Sequence, residues 1–402
     1  MNLKIKTINN VIRFSIMLFA LFFFQNQIIA QLTLEWERNY GGSEDETLQA
    51  MQQTTDGGYI LAGSSRSNDG DVNANNGGLD FWILKLDTLE NIEWEKNYGG
   101  SSSDVALTIK QTIDGGYIVG GYSNSTNGDF GINYGKTDCW ILKLDTNGNL
   151  EWKKNYGGSE GDQAIITFQT TDGGYLVFAN TRSIDGDIDE NNGLTDCWIL
   201  KLDTNGELEW EKNYGGSWND SIMDVKKTID GGYIVASTSD SFNGDVGGNN
   251  GDSDFWVLKL DANGDLEWEK NYGGTSSDGS RTIQVTTDGG YILAGGTFSD
   301  DGDVTSNNGS EDIWIIKLDS NGNLEWEKNY GGLFLDVAHS IQQTTDNGYL
   351  VLGRTNSSDG DVGNSYGGYD YWLLKLEENG NLEWEKNYGG SWDENPTNIL
   401  IT

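Results

Sequence analysis

Acidic residues at fixed spacings are the first candidates for chemistry in this chain. Asp-Gly-Asp triplets occur in four places, each followed by an Asn-containing stretch and a further aspartate such as Asp80, while two equivalent stretches carry Asn127 and Asn243 instead of the first aspartate. Alternating Asp and Asn oxygens around a glycine suit a hard cation such as Ca²⁺. The spacing matches no EF-hand, so a Ca²⁺ site and a hydrogen-bonded polar loop are both open. The candidate ligands are Asp69, Asp71, Asp185, Asp187, Asp301, Asp303, Asp359 and Asp361.

A second set of candidates consists of residues that depart from an otherwise regular pattern. One position reads, at intervals of 58 residues, Gln49, Leu107, Ile165, Met223, Arg281 and His339. If the units close into a ring, Gln49, Arg281 and His339 come from adjacent units and predict a polar binding patch at the mouth of a central channel. Relaxed packing near a strand end is the alternative.

Two tryptophans also stand outside the regular spacing. Trp218 and Trp392 follow Gly-Gly-Ser at the same position of two units, and we expect both to be exposed. Aromatic side chains of this kind bind sugars or partner proteins, or simply cover a sheet edge.

Residues for catalysis are scarce. The chain has a single histidine, and Cys139 and Cys197 occupy equivalent positions that point in parallel, which predicts small core residues and no disulfide. No metal-ligand spacing, nucleophile motif or phosphate-binding loop occurs. Paired carboxylates are abundant, as a glycosidase requires, but catalysis needs two acids in unlike environments. Because nearly every acid recurs in all units, we predict that the protein is not an enzyme.

The elements that position these residues follow from the tryptophans. Thirteen of the 15 tryptophans fall into two series with a spacing of 58: Trp36, Trp94, Trp152, Trp210, Trp268, Trp326 and Trp384, and Trp82, Trp140, Trp198, Trp256, Trp314 and Trp372. Each unit is predicted to contain four strands, sampled by Thr47–Thr54, Tyr59–Gly63, Asp80–Asp87 and Ile92–Tyr98. Four antiparallel strands per repeat of 40–60 residues are typical of a β-propeller. We predict an all-β propeller of six to seven four-stranded blades with the tryptophans in its core.

The repeats also predict the domain boundaries. Residues 43–390 make six complete repeats, preceded by an extra strand at 32–40 and followed by a partial repeat at 391–402. Six blades with overlapping ends, or a seventh incomplete blade closed by both termini, are both open. The propeller is predicted to cover residues 31–402.

One family resemblance follows from these motifs. The unit that joins Gly157-Gly158-Ser159 to Asp172-Gly173-Gly174-Tyr175 and to Lys201-Leu202-Asp203-Thr204-Asn205-Gly206 resembles the seven-bladed β-propeller repeats of secreted bacterial proteins. The third strand and its turn are more weakly similar to the tryptophan-docking repeats of quinoprotein propellers. The resemblance implies a propeller and an extracellular setting without implying one activity.

The amino terminus predicts secretion. Residues 1–30 combine Lys4, Lys6 and Arg13 with an apolar run and a small residue, Ala30, which is typical of a secretory signal peptide. The apolar run is shorter than the roughly 20 residues of a transmembrane helix. We therefore expect a secreted, extracellular or cell-surface protein with no membrane insertion after cleavage.

The charge narrows the class of partner. With 25 Lys and Arg against 63 Asp and Glu, the chain has a formal net charge of −38. Such a surface repels nucleic acids and anionic lipid, whose binding depends on Lys and Arg. We expect a monomeric, non-catalytic binding module for an extracellular glycan or protein. The alternatives are a glycan-active hydrolase and a purely structural spacer of a cell-surface protein.

Overall fold

The computed structural model describes residues 2–7, 12–17 and 38–401, and their regular elements are β-strands throughout. Most of the predicted signal peptide, 1–30, and residues 32–37 of the predicted extra strand lie outside the described residues. Two strands are described before the repeats, β1 (Asn2–Thr7) and β2 (Ile12–Met17). Arg38–Tyr40, the described end of the predicted extra strand, is not in a strand.

Six four-stranded antiparallel sheets form the blades, and each sheet runs in simple chain order. We name the strands of each blade A, B, C and D in that order. Blade 1 contains β3 (Glu46–Gln53), β4 (Tyr59–Ser65), β5 (Asp80–Leu86) and β6 (Ile92–Tyr98); blade 2 contains β7 (Asp104–Gln111), β8 (Tyr117–Ser123), β9 (Asp138–Leu144) and β10 (Leu150–Tyr156); blade 3 contains β11 (Asp162–Gln169), β12 (Tyr175–Thr181), β13 (Asp196–Leu202) and β14 (Leu208–Tyr214). Blade 4 contains β15 (Asp220–Lys227), β16 (Tyr233–Ser239), β17 (Asp254–Leu260) and β18 (Leu266–Tyr272); blade 5 contains β19 (Asp278–Val285), β20 (Tyr291–Thr297), β21 (Asp312–Leu318) and β22 (Leu324–Tyr330); blade 6 contains β23 (Asp336–Gln343), β24 (Tyr349–Thr355), β25 (Asp370–Leu376) and β26 (Leu382–Tyr388).

The prediction of an all-β propeller with four-stranded blades and a 58-residue repeat is confirmed. Strand bounds differ from the predicted ones by at most two residues. The seven blades implied by the family resemblance are not confirmed, because six complete blades are described. The partial repeat contributes one strand, β27 (Asn398–Ile401), which pairs with β1 in a three-stranded sheet.

The segments that flank the six repeats continue the repeat pattern. Gln342 of blade 6 donates a hydrogen bond of 2.7 Å to the carbonyl of Ile399 in β27. The Tyr40 hydroxyl donates to the carbonyl of Glu90, 50 residues further on, as Tyr98 donates to Gly148 in the next repeat. Each flanking segment therefore packs on an end blade in the way that one blade packs on the next.

The core lies between neighbouring blades. In one junction, Ile292 and Ile315 of blade 5 pack with Val351 and Trp372 of blade 6. The strand C tryptophans are buried as predicted, whereas the strand D tryptophans are partly buried. Four of the strand D tryptophans pack on a tyrosine of the following blade, as Trp94 does on Tyr117. Cys139 and Cys197 are buried and free.

A buried lysine on strand C holds each blade together internally. Lys85 Nζ lies 2.8 Å from both Asp56 in the A–B turn and Glu93 on strand D, and its side chain is 4% exposed. Hydrogen bonds from Thr228 and Lys259 lower the pKa of the equivalent Asp230 to about 2. Equivalent lysines occupy all six blades: Lys85, Lys143, Lys201, Lys259, Lys317 and Lys375.

A second repeated group places two buried carboxyls at the junction between blades. A Cβ on Gly215 would lie 2.5 Å from Asp196 Oδ1 and 3.0 Å from Asp220 Oδ2, so both carboxyls converge on this glycine. Asp196 Oδ1 is buried with no hydrogen-bond partner. Burial, together with the charges of Asp220 and Asp245, raises the pKa of Asp196 to about 7. The junction therefore favours a proton on Asp196.

This arrangement predicts that the fold is more stable in mild acid than at pH 8. A raised carboxyl pKa means that the folded chain binds the proton more tightly than the unfolded chain, whose aspartates titrate near 3.8. The stabilisation is present below about pH 4 and is lost as pH rises to about 7. Aspartates bound by lysine, such as Asp230, have the opposite effect, because their lowered pKa means that the folded chain binds the proton less tightly than the unfolded chain. They therefore reduce the stability of the fold only in stronger acid, below about pH 4.

Thermal melting between pH 5 and pH 8 measures the effect, and Asp196→Asn separates it from the general relief of negative charge. The variant should be more stable than the parent at pH 8 and should show a shallower pH dependence, by at most about 1.4 kcal/mol per pH unit for one proton. Identical pH profiles for parent and variant would contradict the assignment.

Candidate functional site

The innermost strands define the central channel. Strand A lies at one edge of every blade sheet and strand D at the other. Successive A strands contact one another around the ring, from β3 to β7 and onward to β23. Side chains at the inner edge of strand A therefore face the central channel that these strands line, and β27 follows β23 in the same series.

Every strand A carries a β-bulge at its fourth residue. In blade 5 the pairing with strand B passes from Ser280 directly to Thr282 and leaves Arg281 unpaired. Such a bulge re-aims the side chain of the extra residue. The six bulged residues are those of the predicted stripe, and all are exposed or partly exposed: Gln49, Leu107, Ile165, Met223, Arg281 and His339.

At the bulged position, the six residues form an apolar group and a polar group. Blades 2, 3 and 4 contribute Leu107, Ile165 and Met223. Arg281 lies close enough to His339 for its positive charge to lower the pKa of the imidazole. Among the described residues, no contact joins Gln49 to either of them. The predicted patch thus brings together two of its three residues.

His339 is held as a neutral imidazole. Burial, and then the charges of Arg281 and Arg354, lower the pKa of His339 to about 3. Its Nε2 atom is buried without a hydrogen-bond partner. A neutral imidazole can donate one hydrogen bond and accept another, so His339 is available to a ligand as a polar group rather than as a cation.

Arg354 belongs to the same patch, although the comparison of strand A residues did not reveal it. Its Nη1 donates a 2.6 Å hydrogen bond to Asn395 Oδ1, and its guanidinium lies 4.5 Å from the centre of the Tyr369 ring. Arg354 Nε is buried with no partner. The equivalent strand B residues are uncharged: Ser64, Tyr122, Asn180, Thr238 and Gly296.

Glu311 supplies the negative charge of the patch. Its carboxyl occupies the space above Gly296, where any side chain would collide with it. Burial raises the pKa of Glu311, while Arg281 and Arg354 act in the opposite direction. Other repeats carry Leu79, Thr137, Thr195, Ser253 or Tyr369 here, so a comparison of all repeat positions would have found Glu311 and Arg354. We define the blade 5–6 cluster as Arg281, Glu311, His339, Arg354 and Asn395.

The cluster is a set of hydrogen-bond donors around one carboxyl. Its two guanidiniums exceed the single carboxylate by one positive charge, since His339 is neutral. Guanidinium groups bind carboxylates and sulfates through paired hydrogen bonds and also donate to sugar hydroxyls. The arrangement is therefore suited to recognising a polar or acidic ligand.

The Asp-Gly-Asp residues latch one loop onto another. Asp69 Oδ1 accepts a 2.8 Å hydrogen bond from the amide of Ser43, and Asp71 Oδ2 accepts one of 3.0 Å from the amide of Gly41. In blade 2 the Asn127 side-chain oxygen accepts the equivalent bond from Ser101. Because an asparagine can replace the first aspartate, this position requires an acceptor rather than a charge, which supports the polar-loop alternative.

The same latch is found around the remaining candidate ligands. The first aspartates, Asp185, Asp301 and Asp359, each accept an amide hydrogen bond, and so do the second ones, Asp187, Asp303 and Asp361. Within the described part of the chain, no group of three or more His, Cys, Asp or Glu residues could hold a metal ion. Calcium binding by these loops stays a prediction.

The two irregular tryptophans are exposed, as expected. Trp218 is 54% and Trp392 is 82% exposed. Trp392 lies three residues before Asn395, a member of the blade 5–6 cluster, whereas Trp218 lies in the loop that leads into blade 4. Their positions leave both indoles accessible to a partner, and the structure does not bring them together.

Distant relatives are found among known proteins. No family model matches the chain. The Regulatory protein FlaEY of Caulobacter vibrioides is 24% identical over 269 residues, which make up 59% of this chain and 28% of that protein. The chain thus spans less than a third of that relative's length.

Solved structures with a similar arrangement come from Bacteroides. A quinoprotein alcohol dehydrogenase-like protein from Bacteroides thetaiotaomicron is 12% identical with a TM-score of 0.47, covering 90% of this chain and 70% of its own. A protein of unknown function from Bacteroides caccae is 14% identical with a TM-score of 0.43, covering 85% of this chain and 97% of its own. At these values neither similarity carries an argument about function.

The described residues include no helix of the length and apolar character that a membrane span requires.

The loop latch yields a prediction about Asp301. Asp301→Asn keeps an oxygen acceptor for the Thr275 amide and should change the melting temperature little, whereas Asp301→Ala removes the acceptor and should cost about 1 kcal/mol. Melting curves in EDTA and then in Ca²⁺ complete the test. A Ca²⁺-dependent rise that Asp301→Asn abolishes would contradict the latch and establish a metal site.

Proposed function

We propose that this protein is a non-catalytic binding module that recognises an extracellular glycan or protein through the blade 5–6 cluster. The observation that carries the proposal is the convergence of residues that break the repeat. Arg281, Glu311 and Arg354 come from three different strands or loops, and each is charged where the other repeats have uncharged residues. Positions that depart from the structural pattern are those where function is expected.

The chemistry of the cluster supports binding rather than turnover. Glu311 faces two arginines and also senses the charge of one carboxyl, Asp336. That carboxyl is fully buried and accepts hydrogen bonds from Gly332 and Ser357, so it is not free to serve as the second acid that a glycosidase uses. His339 has a pKa of about 3 and does not exchange protons near neutral pH. Buried guanidinium atoms without partners, such as Arg354 Nε, are instead ready to meet a ligand.

The setting that we propose is outside the cell. The features that support it are the signal-peptide pattern in residues 1–30, the net charge of −38 and the resemblance to secreted propeller repeats. Rigid scaffolds that carry recognition residues on loops and strand ends are common among binding proteins. The exposed Trp392, three residues before Asn395 of the cluster, adds an aromatic side chain that a partner could contact.

A glycan array and a pull-down from bacterial surface extracts test this function with the double variant Arg281→Leu/His339→Leu. Binding should weaken at least tenfold, because both side chains lie in the cluster. Arg66→Leu, which removes an exposed arginine elsewhere, is the matched control and should bind like the parent. Unchanged binding by the double variant, release of sugar products, or failure of the parent to bind any partner would each contradict the proposal.

A further inference from the structure

Each A strand begins with an acidic residue, and beyond that residue the A strands carry more basic than acidic side chains. Beyond their first residue, the six A strands contain four basic residues, Lys110, Lys226, Lys227 and Arg281, and one acid, Asp224. The whole chain has 25 basic and 63 acidic residues. The part of the A strands beyond the first residue is therefore net positive, inside a strongly acidic molecule.

The seventh residue of strand A normally joins neighbouring blades. Gln52 Oε1 accepts a 2.8 Å hydrogen bond from the backbone amide of Gln111 in the next blade, and Gln284 Oε1 accepts one of 2.5 Å from the amide of Gln343. These bonds satisfy amides at the inner edge of the sheet, which has no further strand to pair with. Through the six blades this position reads Gln52, Lys110, Phe168, Lys226, Gln284 and Gln342.

Lysine cannot perform this role, because an ammonium group has no acceptor. Blade 4 compensates for Lys226 with Asp224, whose Oδ2 accepts a 3.0 Å hydrogen bond from the Ile283 amide and lies 2.5 Å from Lys226 Nζ. Blade 2 has no such substitute. Among the described residues, no hydrogen bond or ion pair holds Lys110.

Lys110 is consequently a partly buried amino group in an environment that disfavours its charged form. Burial lowers its pKa, and the positive charge of Lys226 lowers it further, against a smaller opposing effect of Asp224. The sequence has thus replaced an inter-blade hydrogen bond with an amino group that no described residue binds directly, since the carboxylate whose charge acts on it, Asp224, pairs with Lys226. A bound anion would supply the missing partner.

We propose that Lys110 and Lys226 bind an oxyanion in the central channel, with the carboxylate, sulfate or phosphate chemistry that ammonium groups pair with. The site lies three residues along strand A from the bulged position of Arg281, which corresponds to about 10 Å at the rise of a strand. It is therefore separate from the blade 5–6 cluster, and it does not depend on the function proposed above.

The test compares the parent protein with Lys110→Gln, using inorganic phosphate as the probe. Glutamine is the residue of blades 1, 5 and 6, so this variant should fold and regain the inter-blade hydrogen bond. In phosphate, the parent should melt at a higher temperature than in sodium chloride of equal ionic strength, with a saturable dependence on concentration. Lys110→Gln should lose this difference, and its affinity for phosphate by calorimetry should fall at least tenfold.

Three controls make the outcome decisive. Lys96→Gln removes a lysine from the outermost strand and should leave the phosphate effect unchanged. Arg281→Leu/His339→Leu should also retain it, so that failure of one proposal is distinguishable from failure of the other. Sulfate and malonate in place of phosphate identify the preferred oxyanion. An equal phosphate effect in parent and Lys110→Gln, or no saturable effect of any of the three anions on the parent, would overturn the proposal.

Discussion

The packing of each blade face on its neighbour is the interaction on which the rest of the structure depends. A single four-stranded sheet whose B and C strands are buried on both faces cannot hide its apolar surface alone. Each junction buries the faces of two blades around a strand C tryptophan such as Trp372. Since every junction must fit the next, an insertion within strands would disturb the ring, which explains the unvarying spacing of 58 residues.

The same constraint accounts for most of the charge. Lys85 binds Asp56 and Glu93 within its blade, Asp196 and Asp220 meet at a junction, and loop aspartates accept backbone amides. Because these contacts repeat around the ring, abundant acids in this chain are a property of the scaffold. The informative charges are the few that do not repeat, at the blade 5–6 cluster and at Lys110.

The fold could be predicted from the sequence because its signals are local and repeated six times. Strand D, Ile92–Tyr98, was predicted with its observed bounds, whereas strand A was displaced by one residue. The β-bulge at Arg281 could not be predicted, since it depends on the register of two strands. The stripe containing Arg281 and His339 was found by comparing one position between repeats. Glu311 and Arg354 were missed because they come from other strands and meet only through the topology of the sheet.

Both proposed sites require the A strands to enclose a channel, so the shape of the protein in solution tests the account most directly. Small-angle X-ray scattering measures it. A closed ring should give a radius of gyration of about 21 Å, the value for a compact domain of roughly 370 residues, with the scattering profile of a flat disc. An extended particle, with blades stacked in an open row, would contradict the channel and with it both sites.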